Sequence, residues 1–450
     1  MILVNKNRFN AAEHLRKYAV TYLFIIISVF FIAVSGVNTN YLSSELIKRI
    51  TRNAFLVLAL IIPVVAGMGI NFAITIGAMA AQIGILLVVS WEISGPVSAL
   101  LAAAITLPLA LIFGFLIGKL LNKMKGQETI GSMILGFFAN GLYQLLFKFI
   151  FGNIIKLNDN VIINSTNSSG VKNTIDLKVG MLGRSIDDIW TMPILPVMYV
   201  ICGLMVAYGV FCIVRGMMKN KGMKFADVIR KMRLSKALVM IVLGVFVIIA
   251  ISIPSVAHVF DGTDNINGKP ITVPVITWLL VLLLCGFNVI IMKTKLGQEF
   301  RAVGQNRVVA NASGINVDRV RVIAIMISTV LAAFGQIIFL QSDGMCVMAS
   351  YAAHEQVGLY AGAAILVGGA SIDRATNGQA LLGTFLFHLV FITVQSAMAK
   401  LFPNNTDITE YLRAFLSYGV IAVALVLYAW KGSKKRKTPG AELREVSANK

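Results

Sequence analysis

The chain has 450 residues, 57% hydrophobic and 13% charged, and a mean hydropathy of +0.81, whereas a soluble domain carries about 25% charged residues. A chain so poor in charge cannot cover a water-facing surface, which excludes an ordinary soluble domain and argues for one membrane-embedded helical bundle. The 40 Lys and Arg, against 20 Asp and Glu, sit in short segments between apolar runs, the pattern of cytoplasmic loops rather than of a nucleic-acid surface.

A spanning helix needs about 20 apolar residues. The first such run is 18–37. Its basic flank (Lys6, Arg8, Arg16, Lys17) predicts a cytoplasmic N-terminus, segment 1–17, and the run lacks the small-residue cleavage site of a signal peptide. In 41–53, Leu42, Leu46 and Ile50 recur at helical spacing with Lys48, Arg49 and Arg52 between them. That pattern predicts a short amphipathic helix at the interface. The run 54–91 is long for one span and is interrupted by Pro63, Gly67 and Gly69. It reads as two shorter segments meeting near Gly67–Asn71, a break that only protein or a water-filled path can shelter. Span 96–118 carries Gly114 and Gly118 at GxxxG spacing, which lets helices approach closely.

Span 128–151 leads to a polar loop, 152–192, placed outside by the alternating count. Asn164 and Asn167 there match glycosylation acceptors, a pattern without meaning in a bacterial protein. Span 193–214 ends in a basic segment, 215–236, a strong inside signal. Spans 237–254, 275–292 and 321–341 follow, with a basic inside loop at 293–320. Asp343, His354 and Glu355 fall in a segment that the alternating count places outside, before a short apolar run, 357–368. Spans 379–401 and 411–430 precede a basic tail, 431–450, whose Lys431, Lys434, Lys435, Arg436 and Lys437 place the C-terminus inside. The expected fold is all-α, a polytopic bundle over 18–430 with about ten to twelve membrane segments, some broken or re-entrant.

The chain contains no Walker A motif, so any ATP hydrolysis belongs to another subunit. Cys202, Cys212, Cys285 and Cys346 form no CxxC pair, and no metal site is indicated. Acidic side chains keep to span edges (Glu92, Glu128, Asp343, Glu355), which argues against proton coupling. It leaves open a sodium-coupled carrier that binds its ion through backbone carbonyls. His388 inside a span reads as a packing residue. Amides inside spans (Asn71, Gln82, Asn140, Asn288) are candidates to line a path for a polar solute; the alternative is hydrogen bonding between helices. Asn71 and Gln82, next to the glycine break, favour the path.

The loop 296–321 reads LGQEFRAVGQNRVVANASGINVDRVR. Its periodicity predicts one short helix over Ala302–Ala312, bounded by Gly304 and Gly314. Small residues here permit close approach by another protein, and the cations suit an acidic groove; by charge alone it is an ordinary inside loop. The run Ala302-Val303-Gly304-Gln305-Asn306, then Ala310 and Ser313-Gly314-Ile315-Asn316-Val317, resembles the coupling loop of permeases in the ribose and branched-chain amino-acid class of ATP-binding-cassette (ABC) importers. A second match holds Gly368, Gly369, Ser371, Gly378, Gly383 and Thr384. Asn71 stands where sugar-type members tend to carry Asp, and the spacing of Asn71, Gly77 and Gln82 differs from nucleoside-type members.

The resemblance implies a bacterial inner-membrane permease subunit, embedded in the lipid bilayer and without enzymatic chemistry or a bound cofactor of its own. Its partners would be ABC ATPase subunits that hold the ATP, a second permease chain (identical or different) and an external solute-binding protein. Arg301, Gly304, Gln305, Asn306, Arg307, Asn311, Ser313 and Gly314 would form the ATPase-coupling loop. The expected solute is a sugar or nucleoside, with a branched-chain amino acid as the alternative, and an ion-coupled secondary transporter as the competing class.

Overall fold

The computed structural model describes residues 18–124, 126–150, 174–177, 182–219, 235–261, 271–342, 345, 347–349, 352–371 and 374–403, with isolated positions between 407 and 423. Residues 152–173 of the loop 152–192, residues 220–234 of the basic segment 215–236 and the end of the expected last span lie outside the described residues. The chain forms two compact units, one of 1–36, 48–189 and 276–450, the other of 37–47 and 190–275.

The helices of the first half are α1 (Ala19–Ser35), α2 (Thr39–Leu58), α3 (Ile61–Val65), α4 (Ile74–Ser90), α5 (Pro96–Lys123) and α6 (Glu128–Ile150). The expected short helix at 41–53 is instead the first part of α2, a helix of 20 residues. The reason is local: no Gly or Pro interrupts residues 41–62, so the amphipathic turns run straight into an apolar stretch, Ala54 to Leu58, that is buried all round. Pro63 then stops the ladder, because it has no N–H to give the carbonyl of Ala59. That orphaned carbonyl accepts instead from the Ser328 hydroxyl at 2.9 Å, and the Leu58 carbonyl accepts from Asn288 Nδ2 at 3.3 Å. Residues 66–73 form the break between α3 and α4, with Gly67 at φ 72° and Gly69 at φ 70°.

α13 (Val317–Gln341) is the central helix of the larger unit and packs against α4 and α5. Its 25 residues cover about 37 Å, enough to cross a bilayer core. The GxxxG pair on α5 works as its spacing predicts: a Cβ on Gly114 would come within 2.8 Å of the Met326 backbone, and one on Gly118 within 3.0 Å of the Val322 backbone. α14 (Val357–Val367) and α15 (Asn377–Leu401) complete the unit together with α1. Gly383 on α15 lies against the Ala364 carbonyl of α14, which places the second glycine motif at a helix contact. Strands β1 (Thr174–Asp176) and β4 (Val347–Ala349) pair antiparallel, so two loops that the alternating count put on one side meet at the α13 C-terminal end.

In the smaller unit α7 (Ile194–Lys219) and α8 (Ser235–Ser252) pack antiparallel: Gly209 meets Ala237 and Ile241, and Gly244 meets Cys202 and Val206. Strands β2 (Thr191–Pro193) and β3 (Thr272–Pro274) pair antiparallel there, and α9 (Pro254–Asp261) follows α8. Leu204, Phe211, Val242 and Phe246 face outward, as on a surface that meets hydrocarbon. Helix α10 (Val275–Ile291) is followed by α11 (Lys295–Gln305), bent from it by 76°, and by α12 (Arg307–Ala312). By length and composition, four helices among the described residues are long and apolar enough to cross a membrane, or five if the bent pair is one span.

Candidate functional site

Two polar constellations occupy the larger unit. The first joins α4, α6 and the turn before α14. Gln82 is fully buried, and its Oε1 accepts from the Tyr143 hydroxyl at 2.8 Å and lies 2.9 Å from His354 Nδ1. His354, also fully buried, places its Nε2 2.7 Å from Asn140 Oδ1. Asn140 Nδ2 and Gln144 Nε2 both donate to Glu355 Oε1, at 2.8 and 2.7 Å. Tyr143 stacks edge-on against His354 with ring centres 4.8 Å apart, and Gln336 on α13 donates to the Ala353 carbonyl at 3.3 Å. The network therefore runs from a buried amide to an exposed carboxylate.

Expected path residues Gln82 and Asn140 thus meet through one imidazole. Tyr143, Gln144, His354 and Glu355 are members that the reading of single amides passed over. Asn140, Tyr143 and Gln144 stand at i, i+3 and i+4, one face of a helix, and that spacing was a readable signal. Asn71 lies apart from these bonds, in the break: its Oδ1 accepts from the Ala73 amide at 3.1 Å, and its buried Nδ2 has no partner among the described residues. Asn288 binds the Leu58 carbonyl and Asn377 Oδ1, both at 3.3 Å, and so holds helices together.

The second constellation surrounds the loop 293–320. The single helix expected over Ala302–Ala312 is two helices, α11 and α12, parted at Asn306. Asn306 is extended (φ −157°), and its Oδ1 accepts from the amides of Val308 and Val309 at 3.0 and 3.2 Å. Asparagine prefers this capping position to a helix interior, which overrides the apolar periodicity. Thr294 caps α11 in the same way, accepting from the Gly297 amide.

Phe300 and Val303 face the core. Arg301, Gln305, Asn306, Asn311, Ser313 and Gly314 are exposed, and between them Val308 is 78% and Val309 60% exposed. Gly304 and Arg307 turn the other way. A Cβ on Gly304 would strike the Val65 carbonyl, and one on Gly67 would come within 2.7 Å of the Gly304 Cα, so two backbones touch here. Arg307 donates to the Gly67 carbonyl at 2.8 Å and pairs with Glu128 Oε1 at 2.7 Å. Arg321, buried, pairs with the same Oε1 at 2.5 Å and reaches Met68 Sδ with its Nε at 2.7 Å. A carboxylate so deep is tolerated because the buried Arg321 guanidinium neutralises it.

The family model described as "Branched-chain amino acid transport system / permease component" matches residues 42–425. The chain belongs to this permease family. The ribose import permease protein RbsC of Haemophilus influenzae is 26% identical to the permease over 174 residues, which are 39% of this chain and 50% of that protein. The probable ABC transporter permease protein YphD of Escherichia coli is 27% identical over 195 residues, 43% of this chain and 56% of that protein. The autoinducer 2 import system permease protein LsrC of Klebsiella pneumoniae is 28% identical over 146 residues, 32% of this chain and 41% of that protein. The permease thus spans about half the length of the curated relatives it matches. No solved structure matches it.

At the α13 C-terminal end of the permease, Asp187 Oδ1 accepts from the Thr277 hydroxyl at 2.5 Å and from Gln341 Nε2 at 2.9 Å. Gln341 Oε1 in turn accepts from the amides of Ile186 and Asp187. Burial raises the Asp187 carboxyl above its ordinary 3.8, outweighing the hydrogen bonds from Thr277, Gln341 and Ser342 that lower it. Among the described residues no group of three or more His, Cys, Asp or Glu is placed to hold a metal ion.

Proposed function

We propose that the permease is the membrane-spanning subunit of an ATP-driven importer that carries a small polar solute, a sugar, across the bacterial inner membrane. The carrying observation is the two-sidedness of the loop 293–320. Its outer side offers Arg301, Gln305, Asn306, Val308, Val309, Asn311, Ser313 and Gly314 to a partner, while its inner side presses Gly304 and Arg307 onto the membrane break at Gly67. Two exposed valines ringed by cations and amides on a loop between apolar helices suit a groove of a cytoplasmic ATPase subunit.

The network Gln82–Asn140–His354–Glu355 supplies the solute path with amides, an imidazole and one carboxylate, chemistry fit for exchanging bonds with hydroxyls. One of the relatives is named for ribose import, which supports a sugar over a nucleoside or a branched-chain amino acid. The working assembly then includes a second permease chain, two ATPase subunits holding the ATP, and an external solute-binding protein. Both termini are cytoplasmic, and the membrane segments number about ten to twelve.

Uptake into proteoliposomes tests the reading, with a panel of pentoses, hexoses, nucleosides and branched-chain amino acids. A sugar importer accumulates a pentose or hexose only with ATP and the co-purified ATPase. ATP-independent uptake driven by a sodium gradient would establish a secondary transporter instead.

A further inference from the structure

Three chain segments converge around Glu128 at the start of α6: Arg307 at the start of α12, Arg321 one turn into α13, and the break at Gly67–Met68, which the two arginines also hold. One carboxylate oxygen serves both guanidinium groups. The two cations differ in kind. Arg321 is 1% exposed and also held by Met68, whereas the Arg307 side chain is 32% exposed and sits on the loop. If Arg307 lets go, Arg321 still neutralises the buried carboxylate. The knot can therefore open on one side without leaving a bare charge in the protein, the condition for two arrangements of similar energy. The backbones of Gly67 and Gly304 touch beside it, so the loop cannot move towards the bundle without displacing residues 65–67. The break continues through Ile70 and Phe72, whose carbonyl and amide both meet the Ser132 hydroxyl on α6, to Asn71 and its buried Nδ2, unmet among the described residues.

We infer that Glu128 and Arg307 form a releasable latch that transmits movement of the loop 293–320 to the broken membrane segment 66–73. Both are positioning residues: Arg307 exchanges between Glu128 with the Gly67 carbonyl in one state and solvent in the other, and Arg321 stays with Glu128 in both. The inference rests on the reading of the outer loop face as the ATPase dock, and it adds the inward half of that coupling.

The experiment uses the permease reconstituted with its co-purifying ATPase, comparing wild type with Arg307→Gln, Arg307→Lys and Glu128→Gln. A reporter, Ala73→Cys, is placed in a background lacking the four native cysteines; Ala73 is fully buried at the end of the break. The ATPase is expected to remain bound in R307Q and to keep hydrolysing ATP, while solute moved per ATP falls about tenfold, the usual size of such a coupling; E128Q, which strips the buried Arg321 of its counterion, loses coupling too and also melts earlier in detergent. R307K, which keeps the charge but cannot fork between Glu128 and Gly67, falls in between. ATP speeds maleimide labelling of A73C in wild type and leaves it unchanged in R307Q. Solute per ATP within about twofold of wild type in R307Q and E128Q, a factor too small for coupling of this kind, would overturn the latch, as would ATP-dependent labelling that persists in R307Q. Release of the ATPase by R307Q would make Arg307 part of the dock and overturn the latch alone. A wild-type chain that retains no ATPase would overturn both the dock and the latch.

Discussion

The knot at Glu128 and the network at His354 share helix α6, and Asn140 lies 12 residues beyond Glu128, about 18 Å along the helix. Their chemistry differs. At the knot, full charges are packed against backbone, with two guanidinium groups on one carboxylate oxygen and two glycines in contact. At the network, neutral amides, a phenol and an imidazole pass hydrogen bonds outward to one exposed carboxylate. Charge against backbone gives a joint that is closed or open, because half-separated buried ions are costly. Amides, a hydroxyl and an imidazole exchange hydrogen-bond partners more readily than a charge pair, which suits a surface that a polar solute slides past.

The sharpest break of this comparison is steric. Gly304→Trp is expected to abolish uptake, more than about a hundredfold below wild type at the top of the coupling range, because even a Cβ there collides with the Val65 carbonyl. Normal solute-stimulated ATPase activity and uptake in that variant would remove the knot from the mechanism. Gly314→Ala is the contrast within the same loop. Nothing lies within 4 Å of an added Cβ, and the only penalty is its φ of 83°, about 1 kcal/mol, read as a lower melting temperature with coupling retained.

Val308→Asp with Val309→Asp tests the outer face. Two carboxylates on these exposed positions are expected to release the ATPase in a pull-down while the chain stays monodisperse in detergent. In the network, His354→Ala removes the bridge between Gln82 and Asn140, a loss of about 1–3 kcal/mol. It should raise the solute concentration for half-maximal uptake without changing the solute moved per ATP, and a change in that ratio instead would erase the distinction between the two regions.

The smallest expected effect is at Asp187. Its folded pKa is raised, so the native state holds this proton more tightly than the unfolded chain. The stabilising contribution is complete below the ordinary value of 3.8 and is lost as pH rises through the raised value. Asp187→Asn keeps an acceptor for Thr277 and Gln341 and cannot titrate. The stability difference between wild type and Asp187→Asn, from denaturation in detergent, should therefore shift against the wild type as pH rises from 3.8 through that window. A difference independent of pH there would show that the carboxyl is not buried as described.

Residue type and order alone determined the all-α membrane class, because low charge and apolar runs of helical length leave no other way to satisfy a backbone in lipid. They also marked the break, since Pro63 lacks an N–H and Gly67 and Gly69 tolerate positive φ. The motif around Ala302–Val317 pointed to a coupling loop, but one-dimensional periodicity could not tell which of its sides faced the protein. Tertiary structure decided that Gly304 and Arg307 turn inward while Val308 and Val309 turn outward. It also decided that Glu128, a residue at a span edge, lies under two arginines separated from it by 179 and 193 positions in the chain. Helical spacing speaks only of neighbours a few residues apart. The joining of Gln82 to Asn140 through His354, and of Gly67 to Gly304 through backbone contact, depends on how α4, α6 and α13 cross, and that is set by the packing of the whole unit.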